Sequence, residues 1–160
     1  MIADDHRGDR LIAMSWAGTV VYAVAAALTM VSLDTFQIVL MVVTVALFVI
    51  GLVAFAVAYL LAVARSREDL IGMGGLFFLS GTAPKRVQRH LVGSFGAQIV
   101  IATVMSSIGL AAVSSDATNP QAFGFLTPLF GLGLAGLWGA RFGVFAPRPA
   151  GPSRGGSRTG

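Results

Sequence analysis

The stretch Phe36 to Ala64, FQIVLMVVTVALFVIGLVAFAVAYLLAVA, contains 29 residues and no charged side chain. As an α-helix it would be ~43 Å long, whereas the hydrocarbon core of a bilayer is ~30 Å thick and needs about 20 apolar residues to cross. Such a run is typical of a transmembrane helix. Because it is longer than the bilayer core, we expect this helix to tilt or to project from the membrane.

Three further stretches have the same character. Leu11 to Leu33 and Leu91 to Val113 are each 23 residues long without a charge, and Phe123 to Ala140 is uncharged up to Arg141. The sequence therefore predicts an all-α, polytopic membrane protein whose transmembrane domain, residues 11–143, contains four transmembrane helices. The predicted spans are 11–33, 36–64, 91–113 and 123–142.

The composition agrees with this fold class. Apolar residues make up 56% of the chain, charged residues only 11%, and there is no cysteine. Since average soluble domains carry roughly 25% charged residues, the chain lacks the polar surface of a soluble globule. The composition thus excludes a soluble enzyme, a secreted disulfide scaffold and a disordered protein.

Basic residues predict the orientation, because they are retained on the cytoplasmic side of a membrane. They occur only in the N-terminal tail, the connection between spans two and three, and the C-terminal segment: Arg7, Arg10; Arg65, Arg67, Lys85, Arg86, Arg89; Arg141, Arg148, Arg154, Arg158. The other two connections, Asp34–Thr35 and Ser114 to Ala122, have none. We expect both termini in the cytoplasm (N-in/C-in), with residues 1–10 as a cytoplasmic tail.

Basic side chains beside the span ends are also the expected anchors to lipid and topology. These are Arg65, Arg67, Lys85, Arg86, Arg89 and Arg141. The isoelectric point near 10.7 does not indicate nucleic acid binding, because no basic stretch is interleaved with aromatic residues. The bilayer is the expected partner of these charges. Residues 144–160, rich in Gly and Ser, are predicted to form a disordered basic cytoplasmic tail.

The connection between spans two and three contains an apolar segment, Leu70 to Leu79 (LIGMGGLFFL), that is too short to cross a bilayer. We expect it to be interfacial, lying on the inner leaflet or packed against the helix ends. A re-entrant gate or a docking surface is the alternative. Thr82 is the expected N-cap of the following helix, with Pro84 in its first turn.

The uncharged runs of the predicted spans contain no Asp, Glu, His, Lys or Arg that could carry chemistry inside the membrane, and Arg141 stands at the end of the fourth span. Intramembrane carboxylates and histidines mark proton pathways, so their absence argues against a proton-coupled pump. Asp34 and Asp116 fall in the predicted external loops. No cluster of His, Cys, Asp or Glu indicates a catalytic or metal site, and we expect neither an enzyme nor a cofactor.

The third span is the most polar of the four. Gln98 and Ser94 are four residues apart and therefore share a helix face. Buried glutamine can hydrogen-bond to a neighbouring helix, which predicts a role for Gln98 in helix packing. The lining of a polar cavity is the alternative.

The fourth span has a stripe of small residues at every fourth position: Gly131, Ala135, Gly139 and Gly143. Such a stripe lets two helix backbones approach closely. The string Gly131-x-Gly133-x-x-Gly136 also matches a dinucleotide fingerprint, but that motif needs a βαβ unit and here lies within an apolar span. We expect packing, either within the bundle, where Ala54, Ala58 and Ala62 are complementary, or through the fourth span against a membrane-protein partner or second copy.

Two stretches carry a resemblance to known proteins. GLFFLSGTAP (75–84) and FGFLTPLFGLGLAGLWGARFG (123–143) resemble an uncharacterised family of small four-helix integral membrane proteins of actinobacteria. The resemblance covers about the second half of the chain. It implies a multi-pass protein of the plasma membrane and carries over no catalytic residue.

Two function classes follow from these observations. The first is a non-enzymatic accessory or packing subunit of a larger plasma-membrane assembly. The alternative is a small dimeric transporter or lipid carrier without intramembrane proton coupling. The absence of intramembrane charge favours the first class.

Overall fold

The structure, a computed structural model, describes residues 2–112 and 120–148, which form helices joined by short connections. Its elements are α1 (Ile2–Val31), α2 (Leu33–Arg65), α3 (Met73–Phe77), α4 (Lys85–Ala112), a 3-10 helix (Pro120–Leu126) and α5 (Pro128–Phe142). Within these ranges, four helices are long and apolar enough to cross a membrane: Gly8–Val31, Thr35–Arg65, Lys85–Ile108 and Phe123–Phe142. The predicted fold class, an all-α four-helix membrane protein, is confirmed.

The helices α1 and α2 are joined by a single residue, Ser32, whose backbone is extended with φ −154° and ψ 105°. The helix break lies two residues before the predicted connection at Asp34–Thr35, and both of those residues belong to the beginning of α2, although Asp34 still falls between the spans Gly8–Val31 and Thr35–Arg65. Ser32 is the N-cap residue of α2, but its hydroxyl donates to Thr35 Oγ1 at 3.0 Å and forms no capping hydrogen bond with the backbone. With 33 residues, α2 is ~50 Å long and exceeds the ~30 Å hydrocarbon core.

The fourth span lies at the centre of the bundle. Its principal helix, α5, contacts α1, α2, α3 and α4. In this span 61% of the residues are buried, compared with 28% to 33% in the other three. Its mean hydropathy of 1.4 is the lowest of the four, which fits a helix that faces protein on most sides.

The connection between α2 and α4, residues 66–84, enters the bundle. Its short helix α3 buries Leu76 and Phe77, and the ring of Phe77 stacks on Phe55 of α2 with centroids 4.8 Å apart. Phe55 lies ten residues before the end of α2, which is ~15 Å along the helix axis. The apolar segment 70–79 therefore packs between the ends of α2 and α5.

Two backbone positions shape the end of this segment. Leu79 has φ +57° and Gly81 has φ +73°, both in the left-handed region. For a residue other than glycine this conformation costs about 1 to 2 kcal/mol. Leu79 is fully buried beside Leu91 and Trp138, so its packing offsets this cost.

The beginning of α4 differs from the prediction. Its first residue is Lys85, and the Gln88 N–H donates to the carbonyl of Pro84 at 3.1 Å. Thr82 was wrongly predicted as the N-cap, because its hydroxyl instead donates to the carbonyl of Gly75 at 2.6 Å. The basic residues that precede the predicted third span thus form the first turns of the helix.

Residues 144–148, which follow α5, bond to the connection between α2 and α4. The N–H groups of Val144 and Arg148 donate to the carbonyls of Thr82 and Glu68, at 2.9 and 2.8 Å. Pro147 also forms an isolated bridge with Asp69. The predicted disordered tail, 144–160, is therefore wrong for residues 144–148, whose backbone hydrogen bonds are supplied by the connection. Residues 149–160, and 114–119 of the predicted second external loop, lie outside the described residues.

Candidate functional site

The small residues of the fourth span all face other parts of this chain. A Cβ atom on Gly131 would meet Phe95 and Gln98 of α4, whereas one on Gly139 would collide with the carbonyl of Leu76 in α3. Ala135 is buried in the cluster that contains Leu79. The stripe therefore contacts several elements in turn.

The stripe ends at Gly143, the C-cap residue of α5, whose N–H donates to the carbonyl of Gly139 at 2.9 Å. A Cβ atom there would lie within 3.0 Å of the Phe145 ring. Gly143 is therefore the point at which the chain leaves the helix and turns toward the connection.

The closest helix contact joins α2 and α5. Gly51 faces the backbone of Leu129 and Phe130, and Gly133 faces the backbone of Gly51 and Phe55, with no room for a Cβ atom at either glycine. Two glycines at a crossing allow backbone-to-backbone packing, the usual way in which membrane helices gain van der Waals contact. Nearer the connection, Ala54, Ala58 and Ala62 are all buried on the same face of α2.

A polar cluster lies buried between α1, α4 and α5. The hydroxyls of Ser15 and Ser94 share a short hydrogen bond, and the Gln98 amide donates to Thr19 Oγ1 at 2.8 Å. The Gln98 carbonyl oxygen accepts from the Gly131 N–H at 3.2 Å. All four side chains are at most 4% exposed, so Gln98 links three helices in the interior.

Sequence reasoning identified Gln98 and Ser94 but missed their partners on α1. Ser15 and Thr19 are four residues apart, the same spacing as Ser94 and Gln98, so each pair lies on one helix face. This matched spacing in two apolar helices was the available signal. Such spacing does not by itself indicate a contact between helices, because serine and threonine in membrane helices often bond to their own backbone. Thr19, for example, also donates to the Ser15 carbonyl at 2.9 Å.

Arg65 ties the end of α2 to the end of α5. Its guanidinium donates to the Ala140 carbonyl at 2.9 Å, to the Gly143 carbonyl at 3.3 Å and to the Asp69 carboxylate at 2.9 Å. The Arg65 Cζ atom also lies 5.5 Å from the centre of the Phe145 ring. A cation at a helix C-terminus is favoured by the exposed carbonyls there, so Arg65 acts as an interhelical cap, in addition to its predicted role as a topology anchor.

The other predicted anchors are exposed at the same end of the bundle: Arg67, Lys85, Arg86, Arg89 and Arg141. That end is defined by the Arg65 bonds to α5 and by the approach of Gly8 in α1 to Trp138. The described residues contain no group of three His, Cys, Asp or Glu that could hold a metal ion. This end of the bundle is therefore a cationic surface, formed where the apolar helices begin or end.

Comparison of the chain with protein-family models, curated proteins and solved structures gives no significant match. The resemblance drawn from residues 75–84 and 123–143 thus stays a prediction. The site must be interpreted from its own geometry.

Proposed function

We propose that the protein is a non-enzymatic accessory subunit of a larger assembly in the plasma membrane. Support comes from the way its interior is filled. The polar groups of Ser15, Thr19, Ser94 and Gln98 bond to one another and to the Gly131 backbone, rather than lining a pathway. A bundle whose centre is occupied by its own helix α5 is suited to a structural role.

The surface available to a partner is the outer face of α2. This helix buries only 28% of its span residues and has the highest mean hydropathy of the four spans, 3.1. Val53 and Leu60 are seven residues apart on this face and are 58% and 66% exposed. A helix of a partner protein that packs there would extend the close contacts that α5 makes on the opposite face.

The proposal is tested by purifying the tagged full-length chain from its native membranes in a mild detergent. We expect a partner protein to co-purify in fixed stoichiometry and to be lost in the double variant V53F/L60F. The matched control is V20F/V24F on the outer face of α1, where both valines are more than half exposed. A homodimer that is unaffected by the α2 variant and moves solute across liposomes would refute the accessory role.

A second candidate function, a dimeric lipid carrier, is favoured by one observation. A groove of about 370 Å³ lies between α2 and the 3-10 helix, lined by Met41, Val42, Val45, Ala46 and Phe123. Its wholly apolar lining suits an acyl chain. Lipid transfer between vesicles that is lost in V42W would support this candidate over the accessory role.

A further inference from the structure

One face of α4 forms a shallow groove at the basic end of the bundle. Its lining residues, Lys85, Gln88, Arg89, Val92 and Gly93, are three or four positions apart along the helix and border an open space of about 470 Å³. The Gln88 side chain donates to the Phe78 carbonyl at 3.0 Å. This bond holds the beginning of α4 against the connection.

The groove is cationic at the end nearest the beginning of α4. Lys85 and Arg89 are both exposed and one helical turn apart. The salt bridge found among the described side chains joins Arg65 to Asp69, so neither groove cation is paired with a described carboxylate. Two adjacent positive charges at the beginning of a membrane span favour an anionic group at the level of the lipid headgroups.

The groove continues into the apolar part of the helix. A Cβ atom on Gly93 or Gly96 would meet no atom within 4 Å, in contrast to the glycines of α5. From Lys85 to Gly96 the axial distance is ~16 Å, about the thickness of one hydrocarbon leaflet, which is half of ~30 Å. The missing side chains at Gly93 and Gly96 thus leave an open strip on the outer face of α4, next to the cations along the helix.

From this juxtaposition we infer that the α4 groove binds one anionic glycerophospholipid. Lys85 and Arg89 bind its phosphate, and one acyl chain lies along Val92, Gly93 and Gly96. A soluble phosphate would contact only the two cations. The open apolar strip beside them fits a molecule that has both a charged headgroup and an acyl chain. This ligand site is independent of any partner on α2 and lies on a different helix from the groove at Met41.

The test measures lipid retained by the purified full-length protein with native mass spectrometry, after exposure to equal amounts of phosphatidylglycerol and phosphatidylcholine. We expect wild type to retain phosphatidylglycerol preferentially. Each charge near an anionic lipid contributes about 1 kcal/mol, so R89Q should weaken retention roughly fivefold and K85Q/R89Q further. G93L/G96L should also reduce retention, although it changes no charge.

The matched control is R86Q, which removes the same charge from the same turn but outside the groove. Equal loss in R86Q and R89Q would overturn the site in favour of a diffuse basic surface. Equal retention of the two lipids by wild type, or displacement of phosphatidylglycerol by millimolar inorganic phosphate, would also overturn it. Helicity and melting temperature are measured for every variant, and R89Q decides the outcome if the glycine variant fails to fold.

Discussion

At the scale of single residues, Arg65 links three parts of the chain at once. It is placed at the last turn of α2, and it binds two carbonyls at the end of α5 and the carboxylate of Asp69. The planar guanidinium can donate to several acceptors in fixed directions, whereas a lysine ammonium is a point charge on a flexible stem. The residue is therefore required for its shape as well as for its charge.

Substitution of Arg65 by lysine tests this difference. R65K keeps the charge but loses bridging hydrogen bonds, and we expect destabilisation of about 1 kcal/mol, since the side chain is one-third exposed. The melting temperature in detergent measures this loss of stability. The control R67K affects an exposed arginine two positions further on, and an equal change in both variants would contradict the role of Arg65.

Gln98 is the second residue whose role depends on geometry. Its amide satisfies both a hydroxyl on α1 and a backbone N–H on α5, neither of which has access to water at that depth. Leaving such groups without a partner in an apolar environment is unfavourable.

We therefore expect Q98L to destabilise the bundle by about 1 to 2 kcal/mol, even though leucine is the more apolar side chain. The reference is T103V on the same helix, because the Thr103 hydroxyl is exposed and bonds only to its own helix at Ile99. Unfolding monitored by tryptophan fluorescence distinguishes the two variants. A Q98L protein as stable as T103V would show that the cluster contributes nothing to packing.

At the scale of elements, α5 and the connection fit together through residues that are far apart in sequence. Phe77 occupies the space left by Gly136, and the backbone of Leu76 lies against Gly139. The short helix α3 would have no place between α2 and α5 if the fourth span carried larger side chains at these positions.

A single methyl group should disturb this fit. G139A places a Cβ atom against the Leu76 carbonyl, and overpacking of this kind costs about 1 to 3 kcal/mol. The same substitution at Gly96 meets open space and should leave the melting temperature unchanged or slightly higher. If G139A has the same melting temperature as wild type, the connection does not require the close approach of Leu76 to Gly139.

The sequence predicts some of these elements well and others poorly, for physical reasons. Uninterrupted apolar runs identify the four spans because bilayer thickness fixes their length. Hydropathy does not locate the beginning of α4, because a helix continues through charged residues once it has left the membrane. The sequence predicted that segment 70–79 lies on the inner leaflet or packs against the helix ends, but it could not identify the glycines that accommodate the segment, since these lie about 60 residues further along the chain.

At the scale of the whole molecule, the described basic side chains gather at one end of the bundle and Ser32 marks the other. The predicted orientation places the basic end in the cytoplasm. Because the chain contains no cysteine, a single introduced thiol reports its own position without background.

Labelling with a membrane-impermeant thiol reagent tests this orientation in intact cells. We expect S32C to react from outside and S66C, at the end of α2, to react only after permeabilisation. The cysteine-free parent supplies the blank. The reverse pattern would place both termini outside and would contradict the orientation predicted from the basic residues.

The central position of α5 has a consequence for biosynthesis. The ribosome makes this helix after the other three spans, so those spans reach the membrane before the helix around which they pack. Until α5 arrives, Gly51 has no backbone to contact and the Gln98 carbonyl lacks its donor on Gly131. Nascent chains that stop short of Phe123 therefore expose polar and glycine-lined surfaces to lipid, which makes them substrates for the proteases that clear unassembled membrane proteins.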